Sequence, residues 1–427
     1  MKTESRHLGS GICLTAVQTN KFKTSLLAVH FLVPLQKETA AKNALIPAIL
    51  RRGTRQHPDM HSLSAALDAL YGAEISPTVR KKGETQALGF LGSFLDDAYL
   101  PEKSNMLEKA AELMASLLLS PAGSGTCFVD EYLESEKQNL LLRLRGRINN
   151  KQQYALYRLV SQMCGEESYG IDRLGEEQEL TAVSGDDLWQ QYQALLKNAP
   201  MEIYYCGTAS IEQVEAAVRE AFRPLLAGAR AALPSCNAAA KSPQSTPRYF
   251  EERLDVTQGK LSLGFRLGKG YTESCDLAPL LVLNALFGGS TNSKLFMNVR
   301  EKLSLCYYAS SMAERFKGLL FVNSGVAFEK YEEAKDEILA QLDDCREGKI
   351  TAEELDSARC YVAARQKAGV DAQDTLEDFW LGQAVAGECF TAEALVEQVE
   401  KVSLAQVTAV AKSLTLDSIY FLRGQED

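Results

Sequence analysis

The chain has 427 residues, 46% of them hydrophobic and 24% charged, the balance of a folded protein and not of a disordered one. At roughly 150 residues per domain, this length calls for more than one core. The 56 acidic and 46 basic residues leave a formal charge of −10, which excludes a general attraction to nucleic acid or to an anionic membrane and favours solubility.

The first residues, Met1-Lys2-Thr3-Glu4-Ser5-Arg6, carry an acid early and lead into no apolar stretch, so no signal peptide is expected. Apolar runs such as Leu26 to Val33 are interrupted within about ten residues, too short to span a bilayer, and the expected location is the cytoplasm. In chain order, a strand is predicted over Ser25 to Val33. Helices are predicted at about Asn43 to Arg51 and Leu63 to Tyr71, a strand over Thr85 to Gly92, and helices at Leu107 to Leu119, Glu131 to Arg145 and Gln152 to Cys164. Later come a strand over Lys260 to Leu267, a helix over Leu277 to Leu286, and a strand over Leu319 to Ala327. Helices follow at Tyr331 to Arg346, Ala352 to Lys367 and Thr375 to Val385.

Residues 227–248 are rich in Ala, Ser and Pro and hold no large apolar side chain except Leu233, so they read as a linker. The expected organisation is an N-terminal lobe over 1–226, the linker, and a C-terminal lobe over 249–427. The lobes end alike: Val183-Ser184 and Val402-Ser403 each open a helical pattern that runs into a short apolar strand ending at Gly207 or Gly424. Paired strands followed by runs of helices predict an α+β fold of two homologous lobes, each a mainly antiparallel sheet covered by helices. The ten cysteines form no Cys-x-x-Cys pair, and reduced thiols packed as small hydrophobes are expected.

The segment Leu286-Phe287-Gly288-Gly289-Ser290, Ser293-Lys294-Leu295-Phe296 and Arg300-Glu301-Lys302-Leu303-Ser304-Leu305-Cys306-Tyr307 resembles the second-domain signature of the insulinase (pitrilysin) family of zinc peptidases. The likeness extends to Leu174-Gly175 and Val183-Ser184-x-x-x-Leu188, the linker and the repeat, and it implies the fold shared with mitochondrial processing peptidases. It also implies that Arg300 and Tyr307 reach a peptide held on a zinc site. A guanidinium holds a carbonyl in a fixed orientation, and a phenol donates to the oxygen that gains charge as the peptide bond is attacked. Ser304 stands where the family usually has Gly, so a differently shaped loop before Tyr307 is expected. Arg300 as a helix-surface ion-pair partner, and Tyr307 as a plain sheet residue, are the alternative.

Active members of the family carry His-x-x-Glu-His shortly before Gly-Thr, two imidazoles for zinc and a Glu for the metal-bound water. Counted back from Gly53-Thr54, those positions hold Ala44, Pro47 and Ala48, and the third ligand falls near Arg143. None of the four suits zinc. His57 and His61 have the spacing of a helical ligand pair, but Pro58-Asp59 between them reads as a helix start with Asp59 as N-cap, and no Glu takes the base position. Glu131, Glu134 and Glu136 read as a solvated helix face. Gly288-Gly289-Ser290-Thr291 and Gly268-Lys269-Gly270 lack the remainder of a phosphate loop or dinucleotide fingerprint.

The resemblance therefore implies a catalytically inactive subunit with no metal or other cofactor of its own. Its expected partner is an active paralogue bearing His-x-x-Glu-His, with peptide as substrate and zinc on the partner only. Among bacterial branches, Asn20 to Gly92 most resembles the inactive one associated with elongation factor P aminopentanol modification. A peptide-binding or scaffolding module without peptidase function is the second reading. A free-standing metallopeptidase built on His57 and His61 is the third, and stoichiometric zinc in the purified chain distinguishes it.

Overall fold

A computed structural model describes residues 1–102, 104–234, 236 and 246–425. The chain forms two compact units, Met1–Arg145 with Ile171–Ser235 and Gln373–Val385, and Gly146–Gly170 with Cys236–Ala372 and Ala386–Asp427.

The first unit holds six strands, β1 (Lys2–Gly9), β2 (Ile12–Gln18), β3 (Thr24–Pro34), β4 (Glu74–Lys82), β5 (Thr85–Leu95) and β6 (Met201–Gly207). They lie in the order β1-β2-β6-β3-β5-β4, antiparallel except for β2 beside β6. β3 and β6 are central and buried along almost their whole length, as their near-continuous apolar sequences require. The helices are α1 (Lys37–Leu50), α2 (Met60–Ala69), α3 (Met106–Leu119) and α4 (Asp130–Gly146), then α6 (Glu177–Ala182), α7 (Gly185–Asn198) and α8 (Ile211–Ala221). Leu27, Val29 and Phe31 of β3 share one core with Leu45 of α1, Met114 of α3 and Leu188 of α7. α2 begins where the sequence suggests, because the Asp59 carboxylate accepts from Ser62 N at 2.7 Å and closes a capping box.

The second unit holds β7 (Arg248–Arg253), β8 (Gly259–Arg266), β9 (Cys306–Glu314), β10 (Leu319–Val326) and β11 (Thr415–Arg423), in the order β7-β11-β8-β10-β9. Its helices include α9 (Ser274–Asn284), α10 (Tyr331–Arg346), α11 (Ala352–Gly369), α13 (Ala392–Glu400) and α14 (Leu404–Ser413). Dropping β1 from the first sheet leaves β2-β6-β3-β5-β4, the same plan, with the outer pair parallel in both units. The repeat read from the lobe ends is thus present in topology. Ser184 caps α7 before β6, as Ser403 caps α14 before β11.

The compact units depart from two contiguous halves at one helix each. α5 (Lys151–Met163), from the first half of the chain, belongs to the second unit, where Ala155, Leu159 and Met163 pack with Leu319, Phe321 and Tyr420. α12 (Gln373–Ala386), from the second half, belongs to the first unit. There Gln373 Oε1 accepts from the Thr24 hydroxyl at 3.0 Å, and its Nε2 donates to the carbonyls of Thr24 and Cys206. Of the expected linker, residues 235 and 237–245 lie outside the described residues. Arg230 is tied to the carbonyls of Ala199 at 2.6 Å and Leu225 at 2.9 Å, and Arg248 already belongs to β7.

Candidate functional site

In the first unit, α1 carries Ala44, Pro47 and Ala48. Ala44 and Pro47 are buried and Ala48 is half-buried. Pro47 sits inside the helix, so one helical N–H is missing at that turn. No side chain among these three offers a lone pair to a metal, so zinc does not fit there. Asn43, next to them, is fully buried and held by neutral amides: its Nδ2 donates to Gln86 Oε1 at 2.8 Å and its Oδ1 accepts from Gln191 at 2.8 Å. The same Gln86 donates to the carbonyls of Ala40 and Arg173. A cluster of satisfied amides thus fixes α1 on the sheet.

Arg143 is exposed on α4. On the same helix Glu136 pairs with Arg52 at 3.3 Å and Glu134 with Lys137 at 3.4 Å, while Glu131 is exposed. His57 lies before the cap of α2 and His61 within its exposed first turn. Among the described residues, no group of three or more His, Cys, Asp or Glu is placed to hold a metal ion.

The second unit places Arg300 and Tyr307 at either end of one irregular segment. After α9 the chain winds into two π-helical stretches, Ala285–Gly289 and Leu295–Lys302, a rare geometry that is frequent at functional sites. Glycine is needed at the first stretch. A Cβ on Gly288 would come within 2.7 Å of Ser311 N, and one on Gly289 within 2.9 Å of the Asn284 carbonyl oxygen. The second stretch ends with Leu303 N donating to Asn298 O at 3.1 Å and Ser304 N to Arg300 O at 3.1 Å.

Ser304 adopts φ = 50°, the left-handed conformation that glycine takes most cheaply. The turn expected to change shape with Ser therefore keeps the conformation a glycine would adopt. Arg300 stacks on Phe296, 4.7 Å from the ring centre, and lies 3.4 Å from Glu301. Tyr307, near the start of the edge strand β9, is 67% exposed.

Sequence reasoning missed a polar cluster on the first sheet. His30 of β3 lies opposite Glu202 of β6, and Glu202 opposite Cys13 of β2, so the three form a row across neighbouring strands. His30 Nε2 is 2.7 Å from Glu377 of α12, whose other oxygen takes Arg80 of β4 at 2.5 Å. Among the described residues no cation pairs with Glu202, and burial pushes its carboxyl up to about 8. Burial, with Glu202 beside it, likewise pushes the Cys13 thiol up to about 12, although His7 Nδ1 is only 3.1 Å from its sulfur. A neutral thiol beside a neutral acid is no nucleophile. Local spacing carries no signal for this cluster, because its members come from strands and a helix far apart in sequence. The ten cysteines form no disulfide. Five are buried as small hydrophobes, but Cys127, Cys275, Cys360 and Cys389 are exposed.

With this geometry in place, comparisons with known proteins agree on one family. The profile described as "Peptidase M16 inactive domain" matches residues 182–360. A Bacillus subtilis relative named "Probable inactive metalloprotease YmfF" is 33% identical over 423 residues, covering 99% of this chain and 98% of its own. From the same organism, the "Uncharacterized zinc protease YmxG" is 22% identical and covers 90% of this chain and 93% of its own. A conserved protein from Enterococcus faecalis V583 has the same fold, with a TM-score of 0.89, 28% identity and coverage of 100% of this chain and 99% of its own. The chain belongs to the peptidase M16 (insulinase) family as an inactive homologue of its metalloproteases.

Proposed function

We propose that the chain is the non-catalytic subunit of a two-chain zinc peptidase, pairing with a family paralogue that carries His-x-x-Glu-His. The observation that carries the reading is Tyr307, a phenol 67% exposed on an edge strand, in a chain whose own metal positions hold Ala44, Pro47 and Ala48. An exposed phenol adds little to folding, and an aromatic with a polar tip suits a surface that meets a ligand. Tyr307 would donate to the substrate oxygen that gains charge, and Arg300 would orient a neighbouring carbonyl. Zinc and the water it activates belong to the partner. Bacillus subtilis has both an inactive-type and a zinc-protease-type relative of this chain, which supports pairing of the two kinds. Ten cysteines without a disulfide fit a reducing compartment such as the cytoplasm. Among the described residues, no helix is long and apolar enough to cross a membrane.

The second reading, a peptide-binding or scaffolding module without peptidase function, draws on Arg300. Its guanidinium is already engaged by Glu301 and by the Phe296 ring. Co-purification of the tagged chain with a zinc-bearing paralogue, followed by peptidase assay of the pair, decides between the two. In the first reading Arg300→Ala and Tyr307→Phe each slow turnover by about 10²-fold, the order seen when one transition-state donor is lost, and leave assembly intact. Unchanged turnover in both variants rejects the role of these residues. A chain that captures only itself favours the scaffold.

A further inference from the structure

The second unit holds a cleft of about 310 Å³ between the end of α9, the edge strand β9 and α11, a volume within the usual range for small-ligand sites. Leu281 and Met312 give it apolar surface. Asn284, Tyr361, Arg365 and Gln366 give it polar groups. Within this unit Arg248, Arg266, Arg346 and Arg359 each reach an acid at 2.7, 2.7, 2.8 and 2.6 Å. Arg365 differs. Its Nη1 lies 3.5 Å from the Tyr361 hydroxyl, the outer limit of a hydrogen bond, and among the described residues no carboxylate pairs with it.

A second observation comes from the other side of the cleft. Asn284 Oδ1 accepts from the Ser311 hydroxyl at 2.8 Å, which leaves its amide nitrogen as a donor. That nitrogen faces Gly289, where a Cβ would come within 2.7 Å of it. The missing side chain keeps the donor open. The place in the fold is also informative. α9 follows β8 as α1 follows β3, and β9 is an edge strand as β4 is. Arg365 is the fourteenth residue of α11, as Arg143 is of α4. Leu281 and Asn284 thus stand at the positions of α9 that Ala44 and Pro47 hold in α1, and Arg365 at the position of α11 that Arg143 holds in α4.

We propose that this cleft binds a carboxylate attached to an apolar body, of which the C-terminal residue of a peptide is the form that fits. A guanidinium pairs with both carboxylate oxygens, the Asn284 amide and the Tyr361 hydroxyl supply further donors, and Leu281 and Met312 cover the side chain. The site lies wholly in this chain, so its test needs no partner and is independent of the pairing proposed above.

The probe is a fluorescent tetrapeptide, Ala-Ala-Ala-Leu, with a free C-terminal carboxylate or a C-terminal amide, titrated with the full chain. The acid binds at least tenfold more tightly than the amide, Arg365→Gln removes that difference, and Arg143→Gln leaves it unchanged. Competition by N-acetyl-leucine identifies a site for small apolar carboxylates in general, and binding without such competition identifies a site for peptide ends. Equal binding of acid and amide, no binding of either, or a difference that survives Arg365→Gln overturns the proposal. Displacement of the acid by inorganic phosphate as effectively as by N-acetyl-leucine also overturns it.

Discussion

His30 Nε2 lies 2.7 Å from Glu377 Oε1 across 347 residues of sequence, and neither side chain is more than 1% exposed. Glu377 Oε2 takes Arg80, which also lies 3.2 Å from Asp378, and Lys82 reaches Asp378 at 2.7 Å. A helix from the second half of the chain is thus fastened to the first sheet by ion pairs as well as by the hydrogen bonds of Gln373. Burial alone would raise the Glu377 carboxyl, but the hydrogen bond and charge of His30, and then Arg80, outweigh it and hold it below its ordinary value. Glu377→Ala leaves His30 and Arg80 facing a gap, and a loss of about 3–5 kcal/mol is expected. Urea unfolding followed by the fluorescence of Trp189 and Trp380, both in the first unit, measures it.

The same carboxylate sets an acid limit. A group whose folded pKa is depressed contributes stability that is complete above its unfolded value and lost as pH falls through the folded one. The Glu377 contribution is therefore full above its ordinary value of 4.5 and disappears in more acid solution. The urea midpoint of the wild type should fall below that pH more steeply than that of Glu377→Gln, which has no carboxylate to titrate.

Glu202 works in the opposite direction. Its folded carboxyl is raised by burial from 4.5 to about 8, so the unfolded chain loses this proton first as pH rises. Stability attributable to Glu202 is complete below 4.5 and declines up to about 8. At pH 7 the penalty is about 3 kcal/mol, taking about 1.4 kcal/mol per unit. Glu202→Gln keeps the shape without the charge. It should be more stable than wild type by about 2–3 kcal/mol at pH 7 and no more stable at pH 4, as read from urea midpoints at the two values.

The contrast between these two glutamates marks what the sequence could reveal. The repeat, the α+β class and most helices were legible because they rest on local signals: apolar period, Ser184 and Ser403 caps, and Asp59 as an N-cap. β3, β5, β8 and β10 were legible as apolar runs, whereas the edge strands β4 and β9 carry mixed polar residues such as Arg80 and Ser310 and gave no such run. The exchange of α5 and α12 was not legible, since amphipathic periodicity says that a helix has a buried face and not which sheet will bury it. Helix α1 begins six residues before its predicted start, because the apolar pattern was counted from Asn43 while Lys37 to Lys42 continue the same helix. The positions of Ala44, Pro47, Arg300 and Tyr307 came from the resemblance to the family's motifs and not from any periodicity of the chain. The π-helical winding that places Arg300 has no signal in residue periodicity.

Ser304 offers a test of that winding. With φ at 50° it pays the cost an L-residue bears in the left-handed region, about 1–2 kcal/mol. Ser304→Gly removes that cost and adds back some unfolded-state entropy, so a net gain of about 0.5–1 kcal/mol is expected. Ser304→Val, β-branched, should lose about 1–2 kcal/mol at the same place. Thermal unfolding of the three proteins gives the order Gly above Ser above Val. Equal midpoints would mean that the turn does not hold this conformation in solution.

The second unit fastens its own exchanged helix through Arg266, buried to 2% exposure. Its Nε donates to Asp417 at 2.7 Å, and its Nη2 to Glu167 at 2.7 Å and to the Met163 carbonyl at 3.1 Å, at the end of α5. Arg248 donates to the same carbonyl at 2.9 Å and to Asp417 at 2.7 Å, so two cations face the negative end of the helix, where they are favoured. Burial tends to raise the Asp417 carboxyl, but its bonds to Arg248, Ser418 and Arg266 hold it below the usual range. Arg266→Met keeps the apolar stem and removes the charge. Asp417 retains Arg248, and Glu167 retains Lys317 at 3.2 Å, so the expected cost is about 3 kcal/mol, the lower end for a broken buried pair. The loss should appear locally: amide exchange over Lys151–Met163 should accelerate with the global loss, while that of α12 in the first unit stays near wild type. Equal acceleration of both helices would show that the two units unfold as one.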